Sequence, residues 1–327
     1  MEISIVIPTY NRAASLAETL QQLAGLEGVE SLACEVIVVD NNSTGDTRQV
    51  TESFASVSRV KVRYVFERAQ GASYARNRGI RESAGEILTF IDDDMVIPSP
   101  WLLQMKKAFE DFQAACVGGP VLADPRQKLP SWWDERMLAP LSVFDLGAET
   151  LISNESDRSK HMLATGGNCG FRRSALERNG GFRTDIGRFG NRLGGGEDSE
   201  LVLRLQHKGE TVVYYPQALL YHAPDTRRFT KESMSRFFYN YGITCCQMDM
   251  LFPESGPRLA GIARWKYRWL LQNSLKACWR MITGNSRDAF YHRMCLYKNW
   301  GYTGAILKTR RSMLLRAGPQ PVPQRSS

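Results

Sequence analysis

Apolar positions along the first hundred residues follow two alternating rhythms. Ile3–Ile7 is a short unbroken apolar run that stops at Pro8, the pattern of a strand buried on both faces. Over Arg12–Leu23 the spacing changes, with Leu16, Leu20 and Leu23 on one face, which predicts a helix. Glu35–Val39 is a second apolar run; it ends at Asp40 and meets the turn chemistry of Asn41–Gly45. A helix through Val50 and Phe54, a strand over Val60–Phe66, a helix over Ala72–Ser83 and a buried strand over Ile87–Ile91 follow. Pro98 and Pro100 suit the start of a helix running to about Phe112. Strands alternating with helices predict an α/β fold with a mostly parallel sheet. Ligands of such sheets bind beyond the carboxyl ends of the strands. Here the three ends carry Pro8-Thr9-Tyr10-Asn11, Asp40-Asn41-Asn42 and Asp92-Asp93-Asp94, which are expected on one rim.

The middle of the chain is less regular. Pro120–Pro140 reads as a loop exposing Trp132 and Trp133, Leu163–Phe171 as a glycine-rich strand, and Arg188–Gly196 as a glycine-rich loop. Glu197–His207 has helical spacing, with Leu201 and Leu205 on one face; Thr211–Tyr215 and Ala218–Tyr221 read as strands. Helices dominate from Lys231, and the Pro/Ser/Gln-rich Gly318–Ser327 is expected to be disordered.

Composition is that of a globular protein, but charge is unevenly spread. Of the 42 Lys/Arg, 14 lie from Gly256 onward with one acid, Asp288, so the first 255 residues carry a net −5 and the whole chain +8. Such a basic appendage suits an anionic surface, membrane or nucleic acid. The seven cysteines have no CxxC and no metal-ligand spacing, which suits reduced thiols and a cytosolic setting. Met1-Glu2 leads directly into a strand, so no signal peptide is expected, and no apolar run approaches the roughly 18–20 residues that cross a bilayer.

Three consecutive carboxylates after a buried strand repel one another, and a divalent cation removes that cost. Their hard oxygens suit Mg²⁺ or Mn²⁺, with diphosphate oxygens completing the shell. If the segment is extended, Asp92 and Asp94 point one way and Asp93 the other. Asp40 fits either a hydrogen bond to a base or ribose or an Asx turn with Asn42. Arg76 fits either a donor fork to the nucleotide or an aspartate, or a solvated helix cation.

Ser4-Ile5-Val6-Ile7-Pro8-Thr9-Tyr10-Asn11-Arg12, Val38-Val39-Asp40-Asn41-Asn42-Ser43, Ala75-Arg76-Asn77-Arg78-Gly79 and Phe90-Ile91-Asp92-Asp93-Asp94 resemble, in order and spacing, the successive signatures of family 2 glycosyltransferases. A looser likeness continues to about Tyr221. The resemblance implies a GT-A fold, Rossmann-like, with a mostly parallel sheet flanked by helices. It implies a nucleotide-sugar-binding half over 1–115 and an acceptor half over 116–230, followed by a basic helical extension over 231–316 and a tail over 317–327. Pro8, Thr9, Tyr10 and Arg12 would then line the base pocket, with Asn42 and Arg76 also on the donor side. Asp40 would hold uracil or another base, Asp92 the ribose and Asp94 the metal, and Asp93 would approach the donor sugar.

Gly194-Gly195-Gly196-Glu197-Asp198 opens the later amphipathic helix. Its acids fit an ordinary helix start with Asp198 or Ser199 as cap. It also resembles the family's Glu-Asp motif, in which Asp198 would be the general base of an inverting transfer and Glu197 would bind sugar hydroxyls. Gly167 and Asn168, in a stretch like the family's acceptor-side strand, would pass near the donor sugar, or serve close strand packing. His222 is read either as a structural histidine or as a metal ligand beside Asp94 and Asp92. The Gln-x-x-Arg-Trp motif of processive synthases is absent.

In the extension, Leu271, Leu275, Cys278 and Ile282 form an i, i+4, i+7, i+11 stripe among tryptophans and Lys/Arg. It would either pack on the catalytic domain or lie on an anionic membrane surface, reached through residues 256–316. No nucleic-acid module is present. The expected function is a metal-dependent, hexosyltransferase-like enzyme of polysaccharide biosynthesis. It would move a sugar, from UDP above all, to a saccharide or lipid-linked saccharide. It would be cytoplasmic and peripheral at the inner face of the membrane. The rivals are a retaining GT-A transferase and a non-catalytic nucleotide-sugar or glycan-binding protein.

Overall fold

The computed structural model describes residues 2–153, 162–187, 195–226, 229–253 and 256–309. Most of the glycine-rich run read over 188–196, and all of the tail read over 317–327, lie outside the described residues.

The alternation read at the N-terminus is present: β1 (Ile3–Thr9), α1 (Ala13–Ala24), β2 (Cys34–Asp40), α2 (Thr47–Val57), β3 (Lys61–Phe66), α3 (Ala72–Glu82) and β4 (Ile87–Ile91). β1, β2 and β4 are buried almost throughout, which explains their unbroken apolar runs, whereas β3 lies at the sheet edge and is mostly half-exposed. Leu16, Leu20 and Leu23 are the buried face of α1. Next come β5 (Met95–Val96), α4 (Trp101–Asp111), β6 (Cys116–Gly118), β7 (Val121–Ala123), a 3₁₀ turn at Ala139–Leu141 and β8 (Leu151–Ser153). They are followed by β9 (Asn168–Arg172), α5 (Arg173–Asn179), α6 (Glu197–His207), β10 (Val212–Tyr214) and β11 (Leu220–His222).

One eight-stranded sheet runs in the order β3-β2-β1-β4-β9-β6-β10-β8. β1, β2, β3 and β4 are mutually parallel, and β6 and β10 parallel each other. β9 runs against both β4 and β6, and β8 against β10. A small second sheet, β5-β11-β7, stands at the carboxyl ends. Its register sets His222 opposite Met95, one residue past Asp94. The β4–β9 register sets Asn168 opposite Ile91, one residue before Asp92.

Two expectations change. The strand read over Leu163–Phe171 is strand only from Asn168, because residues before it form a turn bridged from Thr165 to Asn168. Trp132 and Trp133 are not an exposed pair. Trp133 is buried and stacks on Phe229, and Trp132 packs edge-on against Phe290. Aromatic partners from beyond residue 220 cover this loop, and nothing near it in sequence announces them.

The extension consists of α7 (Lys231–Leu251), a small hairpin of β12 (Arg258–Leu259) and β13 (Ile262–Ala263), α8 (Arg264–Thr283) and α9 (Ser286–Thr309). α7 opens on a capping box between Thr230 and Ser233. α7 and α9 cross with their backbones in contact: a Cβ on Gly242 would collide with the Lys298 carbonyl oxygen, and one on Gly301 with that of Tyr239. α8 turns Leu270 and Ala277 inward, and Asn299 of α9 donates to Ser274 Oγ at 3.0 Å. The stripe of Leu271, Leu275, Cys278 and Ile282 is on the opposite, solvent-exposed side. Of its two readings, packing against the protein is therefore the one the fold does not use. No helix among the described residues is long and apolar enough to cross a membrane.

Candidate active site

The three strand ends do converge. Thr9 and Asp40 are register partners across β1 and β2. Asp40 is buried and doubly engaged: its Oδ1 accepts from Ser43 N at 2.9 Å and its Oδ2 from Tyr64 OH at 2.8 Å. It therefore makes an Asx-type turn, three residues long rather than to Asn42, while remaining at the rim. Burial and the Asp40 carboxylate push the Tyr64 phenol up to about 12. Asn11 and Asn42 both take left-handed backbone (φ 53° and 67°), and Asn11 Oδ1 accepts from Thr44 N at 2.9 Å, joining the two loops. Tyr10 and Asn42 are exposed on this rim, and Pro8 is half-buried beneath it.

Asp92-Asp93-Asp94 is not extended. Asp93 and Asp94 form a tight turn between β4 and β5, so alternation does not apply. Asp93 and Asp94 share a cation: Arg12 Nη1 lies 2.9 Å from Asp93 Oδ1 and 2.5 Å from Asp94 Oδ2. Thr9 Oγ1 donates to Asp93 Oδ2 at 2.6 Å. Thr9 and Arg12, expected at the base, thus have their side chains on the acidic turn. Burial pushes the Asp93 carboxyl up to about 6 although Arg12 pulls the other way. Burial also opposes ionisation of Asp94, but His222 and Arg12 outweigh it and hold Asp94 below its ordinary value.

His222 is buried, with Nε2 3.3 Å from Asp94 Oδ1 and Nδ1 2.7 Å from the Leu141 carbonyl. Carbonyl and carboxylate oxygens only accept, so Nδ1 donates to Leu141 and Nε2 to Asp94. Burial opposes the charge of His222, but Asp94 outweighs it and raises the imidazole above its ordinary value. Loss of the Nε2 proton would free that nitrogen for a metal ion while Nδ1 stays fixed by its backbone acceptor. Among the described residues no three His, Cys, Asp or Glu gather into a complete metal cage. Asp94 and His222 offer two ligands, the donor set of an ion that takes its other ligands from water and a diphosphate. The Arg12 guanidinium marks a position here that attracts a cation. Mg²⁺ or Mn²⁺ fits these residues.

Asp92 turns to the other side. Its Oδ1 accepts from Arg76 Nη2 at 3.2 Å, and Arg76 Nη1 donates to Glu197 Oε1 at 2.6 Å. Arg76 is buried, its guanidinium 5.6 Å from the Phe182 ring centroid. Burial works against its charge, but Asp92, Glu197 and Asp198 outweigh that and hold it protonated. It is therefore an internal tie rather than a solvated helix cation. Asn77, on the next turn position of α3, exchanges hydrogen bonds with the Phe182 backbone and fixes that segment.

Gly196, at φ 102°, is the residue before α6, a left-handed position suited to glycine. Glu197 and Asp198 occupy the first turn, and no side chain caps the helix. Asp198 leaves its own helix: Oδ2 accepts from Gly166 N at 2.6 Å, in the turn just before β9. Among the described residues no hydrogen bond engages its Oδ1. A Cβ on Gly166 would stand 2.6 Å from that carboxylate, so the close approach requires glycine. Gly167 follows; a Cβ there would stand 2.6 Å from the Met95 methyl group and 3.6 Å from Asp92 Oδ2. Asn168 behaves differently. It is fully buried, with Oδ1 accepting from Trp101 Nε1 at 2.9 Å and Nδ2 donating to Pro120 O and Ala218 O. A saturated, enclosed amide holds the frame behind the turn; it does not present its side chain to a donor sugar. The bonds of Tyr64 to Asp40 and of Arg12 to the acidic turn have no sequence-local signal.

A family model described as "Glycosyl transferase family 2" matches residues 4–180. The chain is 27% identical over 259 residues to a glucosyl-dolichyl phosphate glucuronosyltransferase of Haloferax volcanii, covering 78% of this chain and 80% of that one. It is 28% identical over 231 residues to the succinoglycan biosynthesis protein ExoM of Rhizobium meliloti, covering 69% of each. Among solved structures, a mannosyltransferase from Pyrobaculum calidifontis, in complex with GDP-Man and Mn²⁺, superposes with a TM-score of 0.63 at 20% identity. It covers 95% of this chain and 87% of that one. S. aureus TarS 1-349 in complex with UDP-GlcNAc superposes at 0.52 and 15% identity, covering 97% and 93%. These structural likenesses speak for the GT-A fold.

Proposed function

The chain belongs to glycosyl transferase family 2, and from that premise we propose that it transfers a hexose-type sugar from a UDP-sugar to a saccharide or lipid-linked saccharide, inverting the anomeric carbon. The observation that carries this reading is Asp198: one carboxylate oxygen is pinned by Gly166 N while Oδ1 has no partner among the described residues. In the mechanism Asp198 takes the proton of the acceptor hydroxyl as that oxygen attacks C1. A single base opposite a single leaving group is what inversion requires. Glu197, held by Arg76, meets sugar hydroxyls, and Asp92, held by the same guanidinium, meets the ribose. Tyr10, Asn42 and Asp40 with its Tyr64 partner form the base end, over Pro8 and Thr9. Gly167 lets backbone approach the donor.

Asp94 and His222 would hold a divalent ion, which when bound supplies positive charge to the departing diphosphate. On this reading residues 1–115 bind the donor and 116–230 complete the acceptor side. The extension, through 256–316, meets an anionic membrane surface at the cytoplasmic face, where a lipid-linked acceptor is presented. Seven free cysteines support a reducing setting.

The test is a panel of nucleotide sugars in thermal shift with Mn²⁺, followed by NMR of the product anomer. Stabilisation by a UDP-sugar above all others, with an inverted product, is the expected result. A product of retained configuration would sink the mechanism while leaving the fold and donor site in place.

A further inference from the structure

Deepening the membrane part of that reading, and resting on it, we propose that the outward face of α8 is the surface that lies in an anionic phospholipid bilayer. α8 has two faces of opposite character. The inner one packs on α9 through Leu270, Ala277 and Ser274. The outer one leaves six large apolar side chains in solvent: Trp265 at 54%, Trp269 at 45%, Leu271 at 63%, Leu275 at 62%, Trp279 at 65% and Ile282 at 82%. Single exposed apolar residues are ordinary, but six on one helix are a patch with a purpose.

Charge identifies the occupant. α8 contains five Lys/Arg and no acid. Arg264, Arg268 and Lys276 are exposed among the apolar residues on the outer side. A surface for this face must accept aliphatic and indole side chains to a shallow depth and supply negative charge beside them. Anionic headgroups over acyl chains do both. A second copy of the chain does not, because a two-fold contact would set like basic residues against each other. A nucleic acid supplies the charge but gives Leu271, Leu275 and Ile282 no apolar medium. The helix is about 30 Å long and carries its charges along its whole length, so it lies flat in the interface. Trp265, Trp269 and Trp279 suit the headgroup level.

The test uses the full chain in flotation with vesicles of phosphatidylcholine alone or with an equal part of phosphatidylglycerol. The wild type floats with the anionic vesicles, and its tryptophan emission shifts to the blue. L275E/I282E lowers the partition coefficient by more than about tenfold. R264Q/R268Q/K276Q reduces the preference for anionic over neutral vesicles. Both variants keep the nucleotide-sugar thermal shift of the wild type, which reports an intact fold and donor site. If L275E/I282E floats like the wild type, the α8 face is the wrong surface although the extension still binds lipid. A wild type that floats with neither vesicle defeats the membrane reading altogether. If light scattering instead shows a dimer that L275E/I282E dissociates, the face is a contact between copies. None of these outcomes bears on transfer itself.

Discussion

Arg76 and Glu197 stand 121 positions apart in the chain, and their side chains meet at 2.6 Å inside the protein. The same guanidinium holds Asp92. One cation therefore ties the turn after β4 to the first turn of α6, and with it the carboxylate proposed for the donor to the neighbour of the proposed base. Removing Arg76 takes away the buried cation that both carboxylates share. R76A is expected to cost about 3–5 kcal/mol of folding stability, measured by urea denaturation. R76K keeps the charge but not the fork, so its loss should be intermediate. Equal stability of R76A and wild type would refute the role as a tie.

Asp198 offers a cleaner separation of chemistry from folding. D198N retains a carbonyl oxygen for Gly166 N but cannot take a proton. Turnover should fall about 10²–10⁴-fold, while nucleotide binding by calorimetry stays at the wild-type level. A matching loss of binding would make Asp198 a ligand rather than a base.

Arg12 occupies, with its own charge, a position beside Asp93 and Asp94 that a metal ion would compete for. R12A should therefore bind Mn²⁺ more tightly than wild type in the absence of nucleotide, by roughly tenfold, the equivalent of about 1.4 kcal/mol. Electron paramagnetic resonance of free Mn²⁺ reads this directly. Unchanged or weaker Mn²⁺ binding would mean that Arg12 does not compete with the ion.

Acid sensitivity has an identifiable source away from the site. Glu35 is fully buried and accepts from Ser4 Oγ, Ala84 N and Arg63. Burial opposes its charge, but these donors outweigh it and its pKa is lowered. A carboxylate depressed in the folded state stabilises fully above its unfolded value, about 4.3, and that contribution is lost as pH falls through the folded value. E35Q should be about 1–3 kcal/mol less stable at pH 7, and its stability should decline less between neutral and acidic pH. Parallel stability-versus-pH curves for the two proteins would remove Glu35 as the cause.

The parts that were legible in sequence are those that local physics decides. Buried parallel strands announced themselves as apolar runs, and their polar ends marked the rim. The internal arrangement of Asp92-Asp93-Asp94 was not legible, since alternation holds only for extended backbone and a tight turn redirects two of the three. The side-chain direction of Arg12, and the choice between the two readings of Asn168, were not legible for a related reason. Spacing puts a residue near a site, while the direction of its side chain depends on partners such as Asp94 or Trp101 from distant segments. The α8 stripe shows the limit of periodicity itself. A period of 3.6 establishes that a helix has two faces but not which one is covered. Here α9 covers Leu270, Ser274 and Ala277, and the larger apolar stripe remains outside.

Gly242 and Gly301 bring the backbones of α7 and α9 into contact. Thr244, two residues beyond Gly242, donates to Gly195 O in the approach to α6. The extension is thereby joined to the segment that leads into the proposed base, and α7 is one continuous helix through both contacts. The pose of the enzyme against any flat boundary is thus a property of its fold. If the α8 face lies in a bilayer as proposed, the height of Asp198 above it becomes a built-in ruler for how far an acceptor must reach.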